Sequence, residues 1–325
     1  MKAEGRRIVI GTRGSSLALW QAHAVEAALL GAFPGLEVRI EVIRTTGDRN
    51  LATPLDRIGD RGLFTKELEG ALVAGDVDVC VHSMKDVQSQ LARGCAIVGT
   101  LPRADVRDAL VCGPRIAGAT HLEDLPAGTR LATGSLRRVA QLRAQFPTVV
   151  PTPVRGNVET RVRKALGEDF EGAILACAGL ERLGMERHIA ARLEPSVMIP
   201  AVGQGAIGIE AREGDEATVG LVRAISDDAT YRCVRGERRV LAALNGSCRV
   251  PMGAYARLGE GAGGEARLLF DAFVSTTDGT RQARSHLELP QETDPFDAAG
   301  EALDELLSQG AREIRDSIET TEVQR

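Results

Sequence analysis

The sequence predicts an α/β protein: two α/β units joined by a double crossover around a cleft, followed by a small α+β domain. Three observations predict it. Buried-strand runs alternate with helical periodicity from Ile8 onward, and the same alternation restarts after Leu101-Pro102. The glycine-rich segment Ile199-Pro200-Ala201-Val202-Gly203-Gln204-Gly205 then leads into a strand-like Ala206–Glu210 that returns to the first sheet. The domain bounds that follow are 1–103 with 204–224, then 104–203, then 225–325.

In order, Ile8–Gly11 reads as a buried strand, and Thr12-Arg13-Gly14-Ser15-Ser16 as a polar turn before a helix over Leu17–Ala32. Val38–Ile43 is a second strand. Thr45–Gly62 is charged, glycine-punctuated and aperiodic, which predicts a loop of the kind that covers active sites. Leu63–Ala74 is helical and Val77–His82 a strand, so Ser83-Met84-Lys85-Asp86 falls at a strand's C-terminal end, where open α/β sheets gather ligands. In the second unit, strands are expected at Ala109–Cys112, Arg130–Ala132 and Ala173–Ala176, with helices at Leu136–Gln145 and Val158–Ala165. The third domain combines a helix at Cys233–Ala243, strands at Ala254–Leu258, Arg267–Val274 and Ala283–Leu287, and one closing helix over Asp297–Ile318.

With 325 residues the chain exceeds the size at which a single core stops growing, and at least two domains are needed. A net charge of −5 with 3% aromatic residues supplies neither a basic field nor a stacking platform, so nucleic acid is not an expected partner. Residues 1–7 lead directly into a strand without an apolar signal region, and no run elsewhere suits a membrane span, which predicts a cytoplasmic protein. The six cysteines form no C-x-x-C pair, so no metal site is expected. Cys80, Cys112 and Cys177 sit in apolar runs as small hydrophobes. Cys248 differs, lying in the polar Asn245-Gly246-Ser247-Cys248-Arg249 loop, where an arginine neighbour favours the thiolate.

Fixed positive charge is dense between Thr133 and Lys164: Arg137, Arg138, Arg143, Arg155, Arg161, Arg163 and Lys164, with a Thr133-Gly134-Ser135 turn in front. Hydroxyl and glycine residues ahead of a helix expose backbone N–H groups, and guanidinium forks match carboxylates or phosphates. That pattern predicts a pocket for a polyanion, against the plainer alternative of arginines solvated on helix surfaces.

Seven segments carry a resemblance. They are Thr12-Arg13 with Leu17-Ala18-Leu19-Trp20-Gln21, Lys66-Glu67-Leu68-Glu69, Val81-His82-Ser83-Met84-Lys85-Asp86-Val87, Gly134-Ser135-Leu136-Arg137-Arg138, Arg155-Gly156-Asn157-Val158, Pro200–Gly205 and the Gly246–Pro251 loop. In this order they resemble the porphobilinogen deaminase (hydroxymethylbilane synthase) family along nearly the whole chain. The resemblance implies two domains like those of periplasmic binding proteins plus a small third domain. It also implies a transferase that joins four porphobilinogen molecules head to tail on a covalent dipyrromethane cofactor, releases ammonia, and frees hydroxymethylbilane by hydrolysis. The cofactor's thioether falls on Cys248. Asp86 becomes the carboxylate that helps expel ammonia, stabilises the azafulvenium cation and accepts the pyrrole α-proton. Ser83, Lys85, Asp86, Thr133, Ser135, Arg137, Arg138, Arg155 and Gly156 become cofactor contacts. Arg13, Ser15, Gln21, Phe64, Arg161 and Arg182 become substrate contacts, and a monomer is expected.

Alone, Asp86 reads equally as a cap or an ion pair with Lys85, Arg182 as a partner of Glu181 or Glu186, and His82 as a core histidine. Four positions depart from the family pattern: Ser16, Gln88, Gly134 and Ser247. None removes a charged or nucleophilic group, although Gln88 gives up the fixed φ of the usual proline. A periplasmic-type solute-binding protein is the main alternative, since it also clamps anions between two α/β units. It leaves unexplained both the Cys248 loop and a carboxylate inside an anion site, where like charges repel.

Overall fold

The computed structural model describes residues 5–49, 65–245 and 250–323. Its first elements are β1 (Arg7–Thr12), α1 (Ser16–Ala32), β2 (Glu37–Val42), α2 (Thr46–Arg49), α3 (Lys66–Ala74), β3 (Val79–Ser83) and β4 (Cys95–Thr100). Next come β5 (Asp108–Cys112), β6 (Arg130–Ala132), α4 (Leu136–Gln145), β7 (Val150–Thr152), α5 (Val158–Leu166), β8 (Gly172–Ala176), α6 (Cys177–Arg182) and β9 (Ala191–Leu193). The chain ends with β10 (Ile207–Arg212), α7 (Glu216–Ile225), α8 (Asp228–Ala243), β11 (Met252–Glu260), β12 (Ala266–Ser275), β13 (Gln282–Pro290), α9 (Pro295–Ser308) and α10 (Ala311–Val323).

Two compact units result: Met1–Ala104 with Gly205–Tyr231, and Asp105–Gln204 with Arg232–Arg325. The first holds a five-stranded sheet in the order β2-β1-β3-β10-β4. There β1 runs parallel to β2 and β3, while the returning β10 is antiparallel to β3 and β4. Strand β3 is apolar almost throughout because helices cover both its faces. On one face Val79 and Val81 pack with Ala22, Val25 and Leu29 of α1; on the other Cys80 meets Leu68 and Leu72 of α3.

The second unit holds another five-stranded sheet, β7-β6-β8-β5-β9, and the meander β11-β12-β13. Asn157 starts α5 by accepting the Thr160 N–H at 2.9 Å, as expected of an N-cap. The meander buries Phe270, Ala272 and Val274 against Ala298, Ala302 and Leu306 of α9 and Ile314 of α10.

Besides the elements β4, β7, α6, β9 and α7, which the sequence reading did not name, three details differ from the expectation. The closing helix is two helices, because Gly310 takes φ +85° between α9 and α10, a left-handed conformation that ends a helix. Helix α8 begins at Asp228 rather than Cys233, with the preceding Asp227 side chain accepting the Thr230 N–H at 2.8 Å. The aperiodic stretch from Thr45 contains the short α2, where the Thr46 N–H donates to the Glu67 carboxylate at 2.9 Å; residues 50–64 of that stretch lie outside the described residues.

Candidate active site

In the first unit a small pocket opens at the C-terminal end of β3, lined by Arg13, Ser15, Gln21, Thr65, His82, Ser83 and Asp86 among others. Local folding explains the lining. Ser15 ends the turn after β1 as the N-cap of α1, accepting the Ala18 N–H at 3.3 Å. One turn and a half later Gln21 is buried, and its side-chain amide donates to the Ser83 hydroxyl at 2.8 Å. After Ser83 the chain turns through a single 3-10 turn, Met84–Asp86. Met84 is buried and anchors this turn, while Lys85 and Asp86 project outward as exposed residues. Gly208 makes the anchor possible: a Cβ there would meet the Met84 sulfur at 1.9 Å. Asp86 is thus an exposed carboxylate on a turn whose apolar neighbour is locked into the sheet.

His82 alternates to the opposite face from Ser83 and is buried, with Nε2 2.8 Å from Oε2 of the equally buried Glu210. It is the paired core histidine that strand alternation predicts. The departure at Gln88 has a use here, because its amide donates to the Thr65 hydroxyl at 2.9 Å.

In the second unit the arginines divide. Arg137 and Arg138, on the first turn of α4, are each 5% exposed and converge on Asp108, which is fully buried at the start of β5. Arg138 binds one carboxylate oxygen through Nε at 3.1 Å and Nη2 at 2.7 Å, and Arg137 Nη2 binds the other at 2.6 Å. Gln204 adds a donor to the first oxygen at 3.0 Å. Burial alone would raise the Asp108 carboxyl, but the two guanidiniums outweigh it and hold that carboxyl well below the usual carboxylate range. Two cations face one anion, so the group keeps a net positive charge, and the buried Arg137 Nε has no hydrogen-bond partner among the described residues.

Around this cluster Thr133 is buried, and its hydroxyl accepts the Ser135 N–H at 3.3 Å. Ser135 precedes α4 without making a side-chain cap bond. Gly134 sits where a Cβ would come within 3.0 Å of the Val154 carbonyl, a tight approach. Gly156, at φ +115°, would press a side chain onto Thr160. Arg155 and Arg161 are half-buried at the two ends of the turn that opens α5. Burial pushes the Arg182 guanidinium at the end of α6 down to about 10, Glu181 opposing. Glu181 itself pairs with Arg192 at 2.6 Å. Two expected site residues, Phe64 and Cys248, lie outside the described residues.

Among the buried polar residues given no site role from the sequence are Thr65, Glu69, Asp108 and Glu210. A signal existed for two of them. Asp108 directly precedes the apolar run Ala109–Val111, and Glu210 interrupts the apolar Ile207–Ala211; a charge in a two-sided buried strand demands a partner. Among the described residues no group of three or more His, Cys, Asp or Glu side chains could hold a metal ion, and no helix is long and apolar enough to cross a membrane.

Fold and site define a two-unit α/β protein with a net-cationic arginine cluster on one sheet and a strand-end carboxylate on the other. Residues 8–220 match the family model described as porphobilinogen deaminase, dipyromethane cofactor binding domain, and residues 231–308 match the porphobilinogen deaminase C-terminal domain. A porphobilinogen deaminase of Thiobacillus denitrificans is 44% identical over 312 residues, covering 96% of this chain and 98% of that protein. One from a Roseiflexus species is 44% identical over 307 residues (94% and 98% covered), and one from Chlorobium chlorochromatii is 41% identical over 319 (97% and 99%). The chain belongs to the porphobilinogen deaminase family, the hydroxymethylbilane synthases, which build a linear tetrapyrrole from porphobilinogen on a dipyrromethane cofactor for porphyrin and heme biosynthesis.

Proposed function

We propose that this chain performs the family reaction with Asp86 as its catalytic carboxylate and Cys248 as the cofactor's point of attachment. When bound, the dipyrromethane supplies the pyrrole carbon on which the product is extended. Ser83, Lys85, Asp86, Thr133, Ser135, Arg137, Arg138, Arg155 and Gly156 hold the cofactor, its acidic side chains going to the hydroxyl, amide and cationic groups. Arg13, Ser15, Gln21, Phe64, Arg161 and Arg182 hold porphobilinogen. Asp86 balances the positive charge left on the substrate as ammonia departs from its aminomethyl carbon, and takes up the proton released from the pyrrole α-carbon.

The observation that carries this reading is the buried charge imbalance in the second unit: Arg137 and Arg138 share the single carboxylate of Asp108. Uncompensated buried charge is costly, and a carboxylate-rich ligand is what this arrangement stabilises best. The fit of the cofactor therefore rests on groups present in the chain. A net charge of −5 with few aromatic residues argues against a nucleic-acid partner; a cytoplasmic, metal-free monomer is part of the same proposal.

Intact-mass measurement of the purified protein, with a peptide map, tests the assignment. The expected result is an added mass of two linked pyrrole units on the peptide containing Cys248. An unmodified chain that stays unmodified after incubation with porphobilinogen would overturn it.

A further inference from the structure

Strand β10 returns between β3 and β4, and its register sets Gly208 opposite His82 on one side and Thr100 on the other. Glycine inside a central strand weakens it, because it packs no side chain and loses the most backbone freedom on folding. No left-handed backbone conformation calls for glycine here. The reason is space. A Cβ at Gly208 would run into the Met84 sulfur and come within 2.9 Å of its Cγ.

Met84 occupies that space from the end of β3. Its N–H carries the ladder one residue past Ser83 by donating to the Ala206 carbonyl at 3.1 Å, and its side chain, 1% exposed, lies over Gly208. Residues two apart on a strand share a face, so Glu210 follows Gly208 on the same face, where its Oε2 sits 2.8 Å from Nε2 of His82. The returning strand thus fixes residues 82 and 84 of the segment whose His82, Ser83 and Asp86 line the pocket.

We propose that the slot left by Gly208 sets the position of the Asp86 carboxylate through Met84, which makes Gly208 and Met84 positioning residues for the reaction. The proposal rests on the reading that Asp86 acts at this pocket. Met84 and Asp86 are the first and last residues of one 3-10 turn, closed by the Val87 N–H donating to the Met84 carbonyl at 3.2 Å. Two peptide units separate them, so a shift of the Met84 backbone passes to Asp86 with little slack. Asp86 is exposed, and little packing of its own corrects such a shift. Interiors are close-packed, so a methyl group added in the slot has to displace its occupant. A displacement of about 1 Å at a reacting group is enough to cost up to about a hundredfold in rate.

Steady-state kinetics with porphobilinogen, on protein whose cofactor loading is verified by intact mass, test the slot beside the thermal midpoint. Gly208→Ala is expected to lower kcat about ten- to a hundredfold with KM near wild type. Met84→Ala empties the slot instead of crowding it and should lower kcat about tenfold. Gly99→Ala is the control: it crowds β4 of the same sheet, where a Cβ would come within 2.8 Å of Val222 Cγ1, and should lower the thermal midpoint while kcat stays near wild type. In an Asp86→Asn background neither slot substitution should lower kcat further. Wild-type kcat in Gly208→Ala or in Met84→Ala, an equal loss in Gly99→Ala, or an undiminished further loss in the Asp86→Asn background would overturn the proposal; should Gly208→Ala fail to fold, Met84→Ala decides. Asp86→Asn measured alone separates the two readings. Normal turnover there removes the role of Asp86 and the slot's role with it, whereas loss of turnover there with unimpaired Gly208→Ala and Met84→Ala removes the slot's role alone.

Discussion

Asp86→Asn should retain the covalent cofactor and the native fold while turnover falls by about three orders of magnitude, the range set by losing a positioned proton acceptor and the charge that stabilises a cation. Asparagine has nearly the same shape, and Asp86 is exposed at the strand end, so no buried partner is left without its mate. The turn is held by other atoms: Met84 beneath Gly208, the Met84 N–H donating to the Ala206 carbonyl at 3.1 Å, and the Val87 N–H closing on Met84 at 3.2 Å. Structure and chemistry are thus separable at this position. Single-turnover release of ammonia and intact mass give the two readouts. A variant that turns over at the wild-type rate would take Asp86 out of the mechanism; one that loses its cofactor as well would make it a structural residue.

Much of the frame was legible because its signals are local. Runs such as Val79–Val81 and Ala173–Ala176 are short, apolar and β-branched or small, and helix α4 was read to the residue from its periodicity. Strands β7 and β9 are three residues each and carry no pattern of their own; pairing with β6 and β5 creates them. The break between α9 and α10 depends on one glycine whose helical alternative is equally permitted by its neighbours. At the site, the types of residue were legible and their partners were not. Arg137 and Arg138 read as anion ligands from charge alone, yet the first anion they meet is Asp108, 29 and 30 residues earlier in sequence. Gln88 stood out in the sequence only as a departure from the usual proline, with nothing to show that its amide meets Thr65. Only the tertiary fold brings the loop after β3 against the start of α3.

Removing that first anion should have the largest effect on stability of any single change in the second unit. Asp108→Ala leaves two buried guanidiniums facing each other with no carboxylate between them, and breaking a buried ion pair by deleting one partner costs about 3–5 kcal/mol. At about 2–4 °C per kcal/mol for domains of this size, the thermal midpoint should fall by roughly 10 °C. The pH dependence follows from the direction of its shift. Asp108 is held below the usual carboxylate range, so its contribution is fully present above the unfolded-state value and is lost as pH falls through the folded-state value. Wild type should therefore lose stability in acid more steeply than Asp108→Ala, and the two curves should converge at low pH. Substituting Arg138→Met in the Asp108→Ala background removes one of the two facing charges, and with it their mutual repulsion, and should recover part of the loss. Equal midpoints for wild type and Asp108→Ala at neutral pH would show that the triad contributes no net stability and that its charge is matched by groups outside it.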